Sequence, residues 1–138
     1  MRRLTLLITC LAALSLSAAP VLAKDGDDDR GGDDRGGDDD GRVIKRGDCS
    51  GASNWKLKAK PDDGGLEVEF EVDQNRNGVR WNVAVRRNGR VAARGTRVTR
   101  APSGSFEFER QIGNGPGTDT ISAVATRAGE TCRASLRI

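Results

Sequence analysis

Leu66-Glu-Val-Glu-Phe-Glu-Val-Asp73 alternates apolar and acidic residues along its whole length. A period of two puts Leu66, Val68, Phe70 and Val72 on one face of an extended chain and the carboxylates on the other, which predicts a strand with one buried side. The same alternation extends in both directions. Upstream, Trp55, Leu57 and Ala59 alternate with Lys56, Lys58 and Lys60. Downstream, it recurs in Arg80–Arg86, in Phe106–Glu109, in Thr120–Ala125 and in Cys132–Ile138. Pro61-Asp-Asp-Gly-Gly65, Asn75-Arg-Asn-Gly78, Asn88-Gly89, Gly113-Asn-Gly-Pro-Gly117 and Ala128-Gly129 supply turn chemistry between the runs. No segment carries a helical period. The prediction is an all-β chain of seven short strands in two layers.

Burial and charge set the expected registers. Ala59 opposite Leu66 brings Lys58 to Glu67 and Lys56 to Glu69 on the outer surface. A two-residue Asn88-Gly89 loop would place Arg94 opposite Val83 on the core side. A three-residue loop, Arg87 to Gly89, instead pairs Val85 with Val91 and Val83 with Ala93. A loop from Arg127 to Glu130 pairs Ala125 with Cys132, Ala123 with Ala134 and Ile121 with Leu136.

Residues 1–23 read as a secretory signal peptide. Arg2 and Arg3 precede an apolar run from Leu4 to Ala19, and Val21-Leu22-Ala23 offers a cleavage site. Cys10 lies in this segment and leaves with it. Secretion into an oxidising compartment, with no membrane association after cleavage, leaves Cys49 and Cys132 as the only cysteines. Their bridge would close a long loop and stabilise the fold by about 4–5 kcal/mol. Residues 24–48, with the repeat Arg30-Gly-Gly-Asp-Asp34 and Arg35-Gly-Gly-Asp-Asp39, have almost no apolar side chains and read as a disordered acidic linker. The folded domain is expected at residues 49–138.

Gly117 to Ile138 resembles the last two strands of bacterial immunoglobulin-like or fibronectin type III-like domains, and Trp81 resembles the core tryptophan of that superfamily. The resemblance implies a seven-stranded immunoglobulin-like antiparallel β-sandwich. Two departures stand out. The chain has no tyrosine for the usual tyrosine corner, and the cysteines sit before the first and on the last expected strand.

Composition narrows the function. The chain has no histidine, which removes the commonest general base and metal ligand. Glu107 and Glu109 lie two apart on one face, as an ordinary solvated strand does, and no serine has a base in view. The expectation is a non-enzymatic protein without a cofactor or metal. Asp25, Asp27 and Asp29 begin like a calcium loop, but Arg30 and Gly36 stand where such a loop needs glycine and glutamate. Arg46-Gly47-Asp48 matches an adhesion tripeptide by composition alone. Charge is the stronger signal. Residues 24–48 hold six basic and ten acidic residues, whereas residues 49–138 hold fifteen and ten. Arg80, Arg86, Arg133 and Arg137 should share the outer face of one sheet, with Arg90 and Arg94 near it, and the acidic linker could screen that face. This predicts a secreted, monomeric binding or adhesion module of the cell envelope or medium that holds an anionic polysaccharide or cell-wall polymer. Nucleic acid is not expected, since no exposed aromatic side chain offers stacking. Two alternatives are a secreted inhibitor or carrier acting on another protein through Arg97–Gly104 or Gly113–Gly117, and a structural surface protein.

Overall fold

The computed structural model describes residues 40–138. The expected signal peptide, Cys10, the Asp25–Asp29 motif and most of the acidic linker lie outside these residues. Eight strands follow one another: β1 (Val43–Asp48), β2 (Asn54–Asp62), β3 (Gly65–Asp73), β4 (Arg80–Arg87), β5 (Arg90–Val98), β6 (Ser105–Gly113), β7 (Thr120–Arg127) and β8 (Glu130–Arg137). There is no helix among the described residues. Two antiparallel four-stranded sheets form, in the orders β1-β2-β3-β6 and β5-β4-β7-β8. Their inner faces share one core, in which Leu57, Val68, Phe70, Trp81, Val85, Phe108 and Ile121 are fully buried. Each such side chain stabilises the fold by about 1.5–3 kcal/mol. Trp81 satisfies its buried Nε1–H by donating to Gln74 Oε1 at 3.0 Å.

The strand count corrects the sequence expectation from seven to eight, and the extra strand falls in the stretch expected to be linker. Val43 and Ile44 are the one apolar pair in residues 24–48, and an average over that stretch hides them. β1 pairs along its whole length with β2, from Val43 opposite Ala59 to Asp48 opposite Asn54. Val43 packs against the core, Gly47 lies against the half-buried Trp55 ring, and Trp55 Nε1 donates to the Asp48 carbonyl at 3.0 Å. Folded structure therefore begins before Cys49. Pro61 is tolerated on β2 because β1 starts opposite Ala59, so no strand on that side needs the missing N–H.

Two registers differ from expectation, and both differences come from tight turns. Asp63 and Gly64 both have positive φ, 44° and 75°, the signature of a two-residue hairpin whose twist matches its strands. The ladder therefore runs to Asp62 opposite Gly65, and Lys58 faces Glu69 and Lys56 faces Glu71, two residues on from the expected pairing. Asn88 and Gly89 also both have positive φ, 49° and 80°. Arg87 faces Arg90 and Arg86 faces Val91, after which a bulge shifts the register so that Val85 meets Ala93 and Val83 meets Gly95. The bulge keeps Arg94 off the core side despite the two-residue turn. The β7–β8 register is as expected, with Ala125, Ala123 and Ile121 opposite Cys132, Ala134 and Leu136.

Cys49 and Cys132 form a disulfide that ties the β1–β2 connection of one sheet to β8 of the other, with the Cα atoms 4.2 Å apart. The same connection is held by polar contacts. Ser50 N donates to the Thr131 carbonyl at 2.9 Å, Thr131 N to Ser50 Oγ at 2.9 Å, and Ser53 N to the buried Glu130 carboxylate at 2.9 Å.

Candidate functional site

The two outer faces carry charge in opposite ways. On the β1-β2-β3-β6 sheet, lysines of β2 interleave with glutamates of β3. Lys56 reaches Glu69 at 3.1 Å, Lys60 reaches Glu67 at 3.3 Å, and Lys58 also pairs with Glu69. Burial pushes the Glu69 carboxyl up, but Lys58 and Lys56 outweigh it and hold it below the usual range. Glu107 lacks such a partner. Burial, then the charges of Glu69, Glu109 and Glu71, push its carboxyl above the usual range. Carboxylate oxygens of Glu69, Glu107 and Glu109 lie within 4.8 Å of one another. The two lysines occupy Glu69, so this is a partly neutralised ladder.

The β5-β4-β7-β8 sheet is not balanced. Its strands hold three arginines on β4, three on β5, one on β7 and two on β8, against a single carboxylate, Glu130. Glu130 is buried and faces inward. Burial pushes its carboxyl up, but the Ser53 amide and the Arg127 guanidinium lower it further, with Arg127 Nε and Nη2 donating to Oε2 at 3.0 and 2.7 Å. Among the described residues, the outer face is left with no carboxylate.

Register divides the nine arginines by task. Three are structural, and a fourth lies exposed in a hairpin. Arg87 pairs with the buried Asp119 at 2.9 Å, Arg127 holds Glu130, and Arg97 lies 4.8 Å from the centre of the buried Phe108 ring. Arg90 sits in the β4–β5 hairpin opposite Arg87. The other five, Arg80, Arg86, Arg94, Arg133 and Arg137, project outward, and none makes an ion pair or hydrogen bond among the described residues. Arg94, expected near this face, lies on it beside the four arginines expected there. The three-residue loop expected from sequence also turned Arg94 outward; the bulge reaches the same side with the register moved by two, setting Arg94 opposite Ala84.

These five share a face without converging on one point. Arg80 and Arg86 are six residues apart on β4, about 20 Å, and Arg133 and Arg137 about 14 Å apart on β8. Across the strands the pairing builds rows. Thr96, Asn82, Thr126 and Thr131 form one, and Arg94, Ala84, Val124 and Arg133 the next. Val91, Arg86, Ser122 and Ser135 form the third. The centre is a shallow groove of about 500 Å³, floored by Ala84 and Val124 and bordered by Asn82, Thr96, Thr126, Arg86 and Arg94. No side chain on this face is aromatic.

The two loops considered for an inhibitor lie at opposite ends of the sandwich, because β6 runs between them. In the first, Thr99 is buried, donating its hydroxyl to the Arg76 carbonyl at 2.6 Å and accepting from Val79 N at 2.9 Å. In the second, Gly115 packs against the Arg87 guanidinium. Both are tied into the framework. Searches against protein-family models, curated proteins and solved structures gave no match for this chain.

Proposed function

We propose that this chain is a secreted, non-enzymatic binding module of immunoglobulin-like or fibronectin type III-like build, and that the outer face of its β5-β4-β7-β8 sheet binds an anionic polymer. One observation carries the functional reading: among the described residues, five outward arginines share a face without a carboxylate, whereas on the opposite sheet the β2 lysines pair with β3 glutamates. Unpaired guanidinium groups on a flat surface attract an extended polyanion, and their forked donors suit carboxylate, sulfate or phosphate. Strand order supports the fold reading. With β1 set aside, β2-β3-β6 and β5-β4-β7-β8 follow the A-B-E and C′-C-F-G orders of that superfamily. A disulfide is compatible with an extracellular setting.

The test is retention of the folded protein on anionic polysaccharide and cell-wall polymer columns over a salt gradient, against Arg80→Ser/Arg133→Ser/Arg137→Ser. Wild-type retention that falls steeply with salt and is lost in the triple variant supports the reading. Equal elution of the two proteins makes these arginines ordinary solvated surface and moves the search to the loops.

A further inference from the structure

We propose that the groove at the centre of the arginine face is a subsite for an acidic saccharide, one ring of which lies on Ala84 and Val124. The proposal rests on the reading of the face as an anion-binding surface and narrows the ligand from any polyanion to a sugar polymer bearing carboxylate or sulfate groups.

The lining is what discriminates. A phosphate chain asks only for cations, and its best site would be the densest cluster of them. Here the cations are set apart. Arg94 and Arg133 stand at the two ends of one cross-strand row, three strand spacings or about 14 Å apart. Between them lie two small apolar side chains that leave an open floor. Arg86 stands one row along on β4. The row on the other side is all hydroxyl and amide: Thr96, Asn82, Thr126 and Thr131. Thr96 Oγ1 and Asn82 Oδ1 are 3.3 Å apart, which leaves the Asn82 amide N–H groups free to donate outward.

A sugar acid presents the complement of this surface. The C–H face of its ring covers the Ala84–Val124 floor. Its hydroxyls meet Asn82 and Thr126, and its anionic group meets the Arg86 and Arg94 guanidiniums. A second anionic group further along the chain reaches Arg133. The groove, at about 500 Å³, falls within the range of small-molecule sites, and its openness along the face lets a polymer continue past it. Specificity on this account comes from the neutral floor and the polar row, whereas affinity and its salt dependence come from the arginines.

The floor gives a test that plain electrostatics cannot imitate. Ala84→Lys adds a cation to the face while filling the groove. Ala84 points outward from a sheet held by its inner face, and a near-ultraviolet spectrum identical to wild type verifies that the variant folds. Binding of a polyuronate hexamer and of a linear polyphosphate of matched charge is measured by titration for wild type, Ala84→Lys and Arg94→Gln. The expected result is that Arg94→Gln weakens hexamer binding about tenfold, as loss of one charge-assisted contact does, and that Ala84→Lys also weakens the hexamer while strengthening polyphosphate. If Ala84→Lys strengthens both ligands, the groove is not a subsite and only the general anion-binding face survives. If wild type binds neither ligand in a salt-dependent way, the face reading falls and the subsite falls with it.

Discussion

Replacing both bridged cysteines, Cys49→Ala/Cys132→Ala, removes the covalent link between the sheets without disturbing a polar group. The bridge spans a sequence separation of 83 residues. Closing a loop of that length in the unfolded chain lowers its entropy by an amount equivalent to about 4.5 kcal/mol at room temperature. Little should offset this in the native state, because the backbone bonds from Ser50 and Ser53 to β8 do not need the sulfur atoms. Set against the roughly 5–15 kcal/mol of a typical domain, the loss is large enough to leave a marginal fold. Guanidinium unfolding followed by the fluorescence of the fully buried Trp81 measures it, and reduced wild type should track the double variant. A loss below about 1 kcal/mol in both would refute the reasoning, since the unfolded chain would then already hold its ends together without the bridge.

Other perturbations test separate parts of the molecule. Glu130→Gln should cost about 2 kcal/mol at neutral pH, discounted for the partly exposed Arg127. Because the folded carboxyl is held low, wild type keeps this stabilisation above the unfolded carboxylate range near 4.3 and loses it as pH falls through the folded value. Denaturation midpoints of the two proteins should converge in acid, and a constant gap would count against stabilisation of the Glu130 carboxylate by Ser53 N and Arg127. Glu107→Gln should gain a few tenths of a kcal/mol at neutral pH. Its raised carboxyl means the ionised form opposes folding, so the gain should vanish on acidification; a destabilised variant would show that Glu107 is paired after all. Gly95→Ala should cost about 1–3 kcal/mol, because a Cβ there meets Phe108 Cε2 at 2.8 Å, and thermal unfolding unchanged from wild type would mean that the ring moves freely. Removing Asp25–Asp39 takes away eight aspartates and two arginines. Retention on an anionic column should then rise at low salt and match the full chain at high salt; identical elution throughout would exclude screening of the arginine face by this segment.

Alternation of small and large apolar residues with charged ones was enough to determine an all-β chain, most of its strands and which residues face the core. It works because a pleated strand sends neighbouring side chains to opposite faces, so burial is written into residue parity. The pairing of Cys49 with Cys132 follows from their being the only cysteines outside the expected signal peptide, and the β7–β8 register from the same parity together with the length of the loop from Arg127 to Glu130. Three features needed the tertiary structure. β1 exists because Val43 finds a core and Trp55 a neighbouring strand, contacts that composition within residues 24–48 does not encode. The β2–β3 and β4–β5 registers depend on the conformations of Asp63-Gly64 and Asn88-Gly89 and on a bulge of one residue, and parity is silent about shifts of two. The arginine face was legible only as a set of outward residues. Which arginines are free and which hold Asp119, Glu130 or Phe108, and that Arg94 and Arg133 bracket Ala84 and Val124, depends on strands distant in sequence being laid side by side.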